Sequence, residues 1–316
     1  MDNKISRRDA LKRLGAAMIG GVAASAGLFT LSSCRADNPR KRVVLCFTGT
    51  GNSLYVAREL AGKDGEILSI PQLARKGINE IEANEIGLVY PIYGHMPPYT
   101  VRQYIKQATL KAEYKFAVLT YGSRHGGAAE IWNGISRRAG NPFDYINTME
   151  MVDNWLPNFD MNEQMRMDKH IPQQLSELRT AIDARKHHIQ PATAQDHAVH
   201  QSFLERSGID PDVGFLVDSA ALFAVTDACI GCGTCVNVCP RANYTLSGQG
   251  EGSGITIEGS CEVCFACIQN CPQKAILFAK NEQGEYMFGP EKNPGARYRN
   301  EHVSLYDIKT ANAQKL

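Results

Sequence analysis

Cys229-Ile230-Gly231-Cys232-Gly233-Thr234-Cys235-Val236-Asn237-Val238-Cys239-Pro240 has the spacing C-x2-C-x2-C-x3-C-P, and Cys261 to Pro272 repeats it. Three cysteines on one tight loop reach three irons of an iron–sulfur cube, so the fourth ligand must come from elsewhere. The duplicate run supplies it, and exchange of the fourth cysteine locks the two halves together. On this reading Cys229, Cys232, Cys235 and Cys271 hold one 4Fe–4S cluster, and Cys239, Cys261, Cys264 and Cys267 hold the second. Gly231 and Gly233 let the loop wrap so that backbone N–H groups face sulfur. Pro240 and Pro272 turn the chain after each distal ligand, and Ile230, Val238, Ile268 and Ile276 are expected to form an apolar shell. Zinc also uses C-x2-C pairs, but separated by a longer spacer than these runs contain.

The other counts narrow the class. The chain has 316 residues, 43% hydrophobic and 21% charged, which suits an ordinary globular protein of two folded units. A formal net charge of +1 provides no basic field for a polyphosphate backbone, so nucleic acid is not an expected partner. Of ten cysteines, only Cys34 and Cys46 lie outside the two runs. A disulfide framework belongs to short chains with too little core, which this one is not.

Upstream of the runs, Arg42-Val43-Val44-Leu45-Cys46-Phe47 reads as a buried parallel strand, with Cys46 a small core residue. It leads into Thr48-Gly49-Thr50-Gly51-Asn52-Ser53 and then Leu54, Val56, Ala57 and Leu60, which share one helical face. A strand, a glycine–hydroxyl loop and a helix in that order can hold a phosphate at the helix N-terminus. Leu54 stands where a dinucleotide fingerprint needs its third glycine, and no Lys follows as a P-loop requires. The monophosphate of FMN fits better than either, and a plain tight turn is the alternative.

Glu66 to Ile70, Ile86 to Tyr90, Tyr114 to Thr120 and Asp144 to Val152 read as further strands, with helices over Tyr99 to Leu110 and Ala128 to Ala139. Five such strands match a flavodoxin-like doubly wound parallel sheet, whose ligand sits beyond the carboxyl ends of the first and third strands. Two loops leave that edge. One holds Pro91, Tyr93, Gly94 and His95; the other holds Tyr121, Gly122, His125, Gly126 and Gly127. Tyr93 or Tyr121 is expected to stack on an isoalloxazine, with the glycines admitting backbone N–H groups to its polar edge. Ordinary βα connections are the alternative. His95 and His125 read as solvated or hydrogen-bonding rather than catalytic.

Residues 1–34 read as an address. A twin-arginine pair, Arg7-Arg8, precedes a weakly apolar stretch from Leu14 to Leu31, expected to be removed rather than kept as a span. Leu31-Ser32-Ser33-Cys34 looks like a lipobox, which would lipidate Cys34; ordinary cleavage near Ala36 is the alternative. The expected location is periplasmic, or at the cell envelope on a lipid anchor. The remaining organisation is a sheet domain over 41–160, a helical connector over 161–219, a cluster domain over 220–281 with repeats 220–249 and 252–281, and a tail over 282–316. His187, His188, His197 and His200 in the connector are expected on solvated helix faces.

With both halves in view, the chain resembles the flavodoxin–ferredoxin fusion proteins of the EFR-type ferrodoxin family. The resemblance rests on the Phe47 to Ser53 loop, Pro91 to Pro98, Thr120 to Gly127, both cysteine runs, and Asn293-Pro294 with Ala296-Arg297-Tyr298-Arg299. It implies FMN in an α/β domain, two cubane clusters in a small α+β domain of bacterial ferredoxin type, and electron transfer as the activity. An export signal is a departure from the typical member, so the family's partners are not carried over. The expected function is a relay between the clusters and FMN, serving a redox partner protein or a small-molecule acceptor as an oxidoreductase. A non-enzymatic carrier tethered to a membrane redox complex, or an empty sheet domain serving as scaffold, are the alternatives.

Overall fold

The computed structural model describes residues 42–248 and 254–313. The expected export segment and Cys34 lie outside the described residues. The first half alternates strand and helix: β1 (Arg42–Cys46), α1 (Asn52–Ala61), β2 (Glu66–Ser69), α2 (Ile70–Lys76), β3 (Glu80–Glu82), β4 (Glu85–Pro91), α3 (Tyr99–Gln107), β5 (Thr109–Lys111), β6 (Tyr114–Tyr121), α4 (Ala128–Arg138) and β7 (Tyr145–Glu150). Then come α5 (Met161–Gln164), α6 (Ile171–Asp183), β8 (His188–Ile189) and α7 (Ala194–Ser207).

Six strands form one parallel sheet in the order β2-β1-β4-β6-β7-β8. Val43, Val44 and Leu45 are buried, as a strand covered by helices on both faces requires. Leu54, Val56, Ala57 and Leu60 of α1 are buried against the sheet. From β1 the chain moves outward to β2 and returns to place β4 on the other side. The order thus reverses between β1 and β4, where an open parallel sheet leaves a crevice at its carboxyl edge. Trp132 of α4 is fully buried, edge-on to Tyr90 at 5.2 Å, and fixes the helix that follows the third loop. Truncating such a residue costs about 3–5 kcal/mol.

Three differences from the sequence-based expectation have physical reasons. The sheet has six strands because the segment read as a connector feeds it: α6 buries Leu175, Leu178 and Ile182, and His188–Ile189 pairs with Tyr145–Ile146. The helix expected to reach Leu110 stops at Gln107. Thr109–Lys111 instead runs parallel to Glu80–Glu82, with Asn141 Oδ1 accepting from the Leu110 N–H at 2.9 Å. His200 does not lie on a solvated face; its ring meets the His95 ring at 5.6 Å.

The second half comprises β9 (Val217–Asp218), α8 (Ser219–Leu222), β10 (Phe223–Val225), α9 (Thr234–Val238), β11 (Tyr244–Ser247), β12 (Gly254–Ile257), β13 (Ser260–Cys261), α10 (Ala266–Asn270), β14 (Ile276–Phe278) and α11 (Leu305–Asn312). β10 pairs antiparallel with β14, joining the start of the first cysteine run to the end of the second. Phe223 stacks on Phe278 at 5.7 Å, and Phe265 packs on both, giving this small half a core of its own. No helix among the described residues is long and apolar enough to cross a membrane.

Candidate functional site: two cysteine loops and a cavity

The two cysteine runs adopt the same backbone. Position by position, Gly231 and Val263 have φ of 64° and 58°, Gly233 and Phe265 have 65° and 57°, and Ala242 and Lys274 have 61° and 51°. Each distal sulfur accepts an N–H from four residues on: Asn243 to Cys239 Sγ at 3.4 Å and Ala275 to Cys271 Sγ at 3.3 Å. Such donors offset negative charge on sulfur. The left-handed turns expected of glycine in the first run are thus made in the second by Val263 and Phe265, at a strain of about 1–2 kcal/mol each.

The fold brings the cysteines into two crossed sets. Cys229, Cys232, Cys235 and Cys271 line one recess with Val225, Ile255 and Ile276. Burial pushes the Cys235 thiol up to about 12, and Cys271, Cys229 and Cys232 add to the shift as neighbouring charges. Cys264 is raised well above the ordinary thiol range by burial and then by Cys261, Cys239 and Cys267. Eight soft thiols arranged four and four fit two cubanes, since ligation by iron removes the protons that burial retains. Among the described residues no three His, Cys, Asp or Glu side chains close on a single-ion site. Val238, Ile268 and Ile276 are buried as expected of an apolar shell, and Ile230 lines the recess of the first set at its open side, 48% exposed.

Beyond the carboxyl ends of β1, β4, β6 and β7 lies a cavity of about 590 Å3, of the size that small-molecule sites occupy. Of the residues expected from sequence, Thr48, Gly49, Thr50, Asn52, Ser53, Pro91, Tyr93, Gly94, Tyr121 and Gly122 line it. Gly51, Gly126 and Gly127 do not. Gly51, at φ +100°, lies against Val303 and Asn300, Gly126 supports the His95 ring, and Gly127 is the N-cap of α4. The N-terminus of α1 has no side-chain cap, so its first N–H groups and its dipole favour an anion at the loop. Thr48 Oγ1 accepts from the Gly51 N–H at 3.1 Å and Thr50 Oγ1 accepts from Asn154 at 2.7 Å, leaving both hydroxyl protons to donate.

The second cysteine run forms part of this wall. Val263 lines the cavity, and a Cβ on Gly49 would come within 2.7 Å of the Cys264 carbonyl oxygen. Glycine at 49 is therefore what lets the two loops touch. Tyr93 is turned toward that junction, its hydroxyl close to Gly49. Burial raises its phenol well above the usual range, with Cys264 and Glu262 adding to the effect.

Sequence reasoning missed the segment after β7. Val152, Asp153, Asn154 and Trp155 line the cavity because their strand ends on the same sheet edge as the three loops that were named. That edge logic was the available signal. Phe203 and Phe215 close the far side over Gly94, contacts between distant segments that no local pattern announces. His95 is 8% exposed and lines the cavity rather than facing solvent. It occupies a tight turn with Gly94, both at positive φ, closed by paired backbone bonds between Tyr93 and Met96. Burial pushes its imidazole down to about 4, helped by His200, Arg124 and His125, so the ring is neutral at neutral pH.

Residues 298–312 of the tail tie the two sites together. The Tyr298 hydroxyl donates to Asn52 Oδ1, the Asn300 N–H donates to Thr50 O at 2.9 Å, and Asn312 donates to both Thr48 O and Val238 O. Tyr298 N–H also donates to Gln269 Oε1 at 2.7 Å on α10.

Comparison with known proteins bears on the cysteine half. Residues 228–275 match the family model described as a 4Fe-4S dicluster domain. A ferredoxin of Thermococcus litoralis is 34% identical over 50 residues, which is 16% of this chain and 83% of that protein. An uncharacterized protein of the rpl9-rpl11 intergenic region of Porphyra purpurea is 35% identical over 65 residues, 18% of this chain and 83% of its own length. Among solved structures, the Trp repressor binding protein of Bacillus subtilis aligns over 44% of this chain and 94% of its own, at 14% identity and a TM-score of 0.30. The cysteine spacing, the crossed sulfur sets, the family model and the ferredoxin match agree: through its C-terminal cysteine domain the chain belongs to the 4Fe–4S dicluster ferredoxins.

Proposed function

We propose that the chain is a flavodoxin–ferredoxin fusion that relays electrons between two 4Fe–4S clusters and an FMN held in the sheet-edge cavity. In this reading Cys229, Cys232, Cys235 and Cys271 ligate the first cluster, and Cys239, Cys261, Cys264 and Cys267 the second. Thr48 to Ser53 take the phosphate. Bound FMN would supply storage for one or two electrons, joining one-electron cluster chemistry to a two-electron acceptor.

The observation that carries the proposal is the contact between Gly49 of the phosphate loop and the Cys264 backbone, with Val263 in the cavity wall. A ligand beside that wall adjoins the second cluster's own loop. No side chain separates the two loops at Gly49, and the tail hydrogen bonds hold the contact in place. Water is kept from the junction by buried Phe47 and Val263, with half-buried Tyr93 beside them.

The test begins with iron, sulfide and flavin counted per chain on anaerobically prepared protein. About eight irons and one flavin are expected. Cys232→Ala should then lose about half the iron and slow flavin reduction by an external one-electron donor, followed by stopped-flow absorbance. Flavin reduction at the unaltered rate in that variant would refute the relay.

A further inference from the structure

The aromatic residue expected to meet the cavity's ligand was Tyr93 or Tyr121. Both line the cavity, but each meets another ring edge-on rather than stacking. Tyr93 is half-buried, edge-on to Phe47 at 6.4 Å, with its hydroxyl at the junction with Gly49. Tyr121 lines the cavity but meets the His125 ring edge-on at 5.4 Å.

Trp155 is placed differently. Its indole lines the cavity and stacks on Phe265 with centroids 5.0 Å apart and planes 25° from parallel. Phe265 stands between Cys264 and Cys267, so Trp155 touches both the cavity and the second cysteine loop. Its position is fixed from both sides. Trp155 N–H donates to Asp153 Oδ1 at 3.0 Å, Asn154 Nδ2 donates to Thr50 Oγ1 at 2.7 Å, and Gln269 Nε2 donates to Asn154 O at 3.1 Å. Residue 154 thus connects the phosphate loop to α10, and Trp155 follows it with its ring already set. Phe288 packs edge-on at 5.4 Å and holds the indole from another side. A ring fixed before the ligand arrives loses little freedom on binding.

We propose that Trp155 is the ring-stacking residue of the cavity, the wall against which a flat aromatic ligand lies. The proposal rests on the flavin reading and deepens it by assigning the stacking role to a residue after the fifth strand of the sheet, β7. Loss of such a stack weakens binding by about 1–3 kcal/mol, or about 5- to 150-fold.

The experiment uses the full chain with both clusters in place, titrated anaerobically with FMN and read by flavin fluorescence and by the dissociation constant. The wild type is expected to bind FMN with strong quenching. Trp155→Leu is expected to weaken binding within the range above and to leave iron and sulfide unchanged. Trp155→Phe, which keeps a ring on Phe265, is expected to recover most of the affinity with weaker quenching, and it remains informative if the leucine variant loses its clusters. Unchanged affinity and quenching in both variants, with Tyr121→Leu losing affinity instead, would overturn the assignment while leaving the flavin reading intact. A wild type that fails to bind FMN would overturn the flavin reading itself, and the stacking role with it.

Discussion

The two cysteine loops share one spacing and one backbone, yet they sit in opposite surroundings. In the first set Cys232 is exposed, Cys229 and Cys271 are half-buried and Cys235 is buried; in the second set Cys239, Cys261, Cys264 and Cys267 are all buried. The residue after the first cysteine shows the contrast most sharply. Ile230 is apolar and 48% exposed, whereas its counterpart Glu262 is charged and 1% exposed. Glu262 is accommodated because both carboxylate oxygens accept from Thr100, from its N–H at 2.9 Å and from its hydroxyl, at the start of α3. Arg241 lies 3.7 Å from it and offsets its charge. A sequence repeat therefore fixes the ligand geometry but not the environment: the second loop is enclosed by the sheet domain, and the first is left to meet solvent or a partner.

The largest consequence concerns access. Oxidants and chelators reach a cluster through its exposed edge or through local opening, and the first loop needs no opening. Treatment of the loaded protein with a ferrous chelator in air should remove iron in two equal phases, separated on the order of tenfold in rate. Electron paramagnetic resonance on the half-depleted sample, reduced anaerobically with dithionite, should find one surviving type of cluster. A single phase would mean that the difference in burial does not govern access.

The next consequence is energetic and sets strain against burial. Gly233 at φ +65° would tolerate a Cβ sterically, its nearest neighbour being Leu246 at 3.5 Å, so Gly233→Ala should cost only the left-handed strain of about 1–2 kcal/mol. At the equivalent position Phe265→Gly relieves a similar strain but removes a ring that is 1% exposed and packed on Trp155, Phe223 and Phe278. Losing a buried Phe costs about 3–5 kcal/mol, so burial wins and a net loss of about 1–4 kcal/mol is expected. Denaturant unfolding of both variants checks the order. A Phe265→Gly protein as stable as the wild type would mean that strain, not packing, dominates the second loop.

Much of this contrast was hidden from the sequence for a definite reason. The cysteine spacing, the first strand and the Thr48 to Ser53 loop are local signals, and each is found where it was expected. Phe203 over Gly94 and the burial of Glu262 against Thr100 depend on which segments come together across more than a hundred residues. Glu262 even inverts the usual hydropathy rule, because the N-terminus of α3 receives its carboxylate. The sixth strand is only two residues long, too short for any periodicity to register. The tail's Asn52, Thr50 and Thr48 partners lie about 250 residues upstream, so the resemblance quoted the tail motif without its role.

The smallest effect tests whether the tail helps to keep the second loop closed. α11 lies beside α9, and Asn312 donates to Val238 O, next to the second cluster's Cys239. The helix is held by Asp307, which pairs with Arg58 at 2.6 Å and forms a capping box with Ser304. The hydrogen bond from Arg58 holds the Asp307 carboxyl well below its ordinary value, with Ser304 adding to this. A depressed carboxylate contributes stability above its unfolded value of about 3.9 and loses it as pH falls through the folded one. Because Arg58 is 38% exposed and the pair is screened, the contribution is no more than about 1 kcal/mol. Asp307→Asn should therefore lose a small, constant amount of stability from pH 7 down to pH 5, a deficit that shrinks only below about pH 3.9. In the chelator experiment at pH 7 it should speed the slow phase of iron loss and leave the fast phase alone. Acceleration of the fast phase instead would mean that α11 guards the first loop, and the contrast between the loops would then owe nothing to the tail.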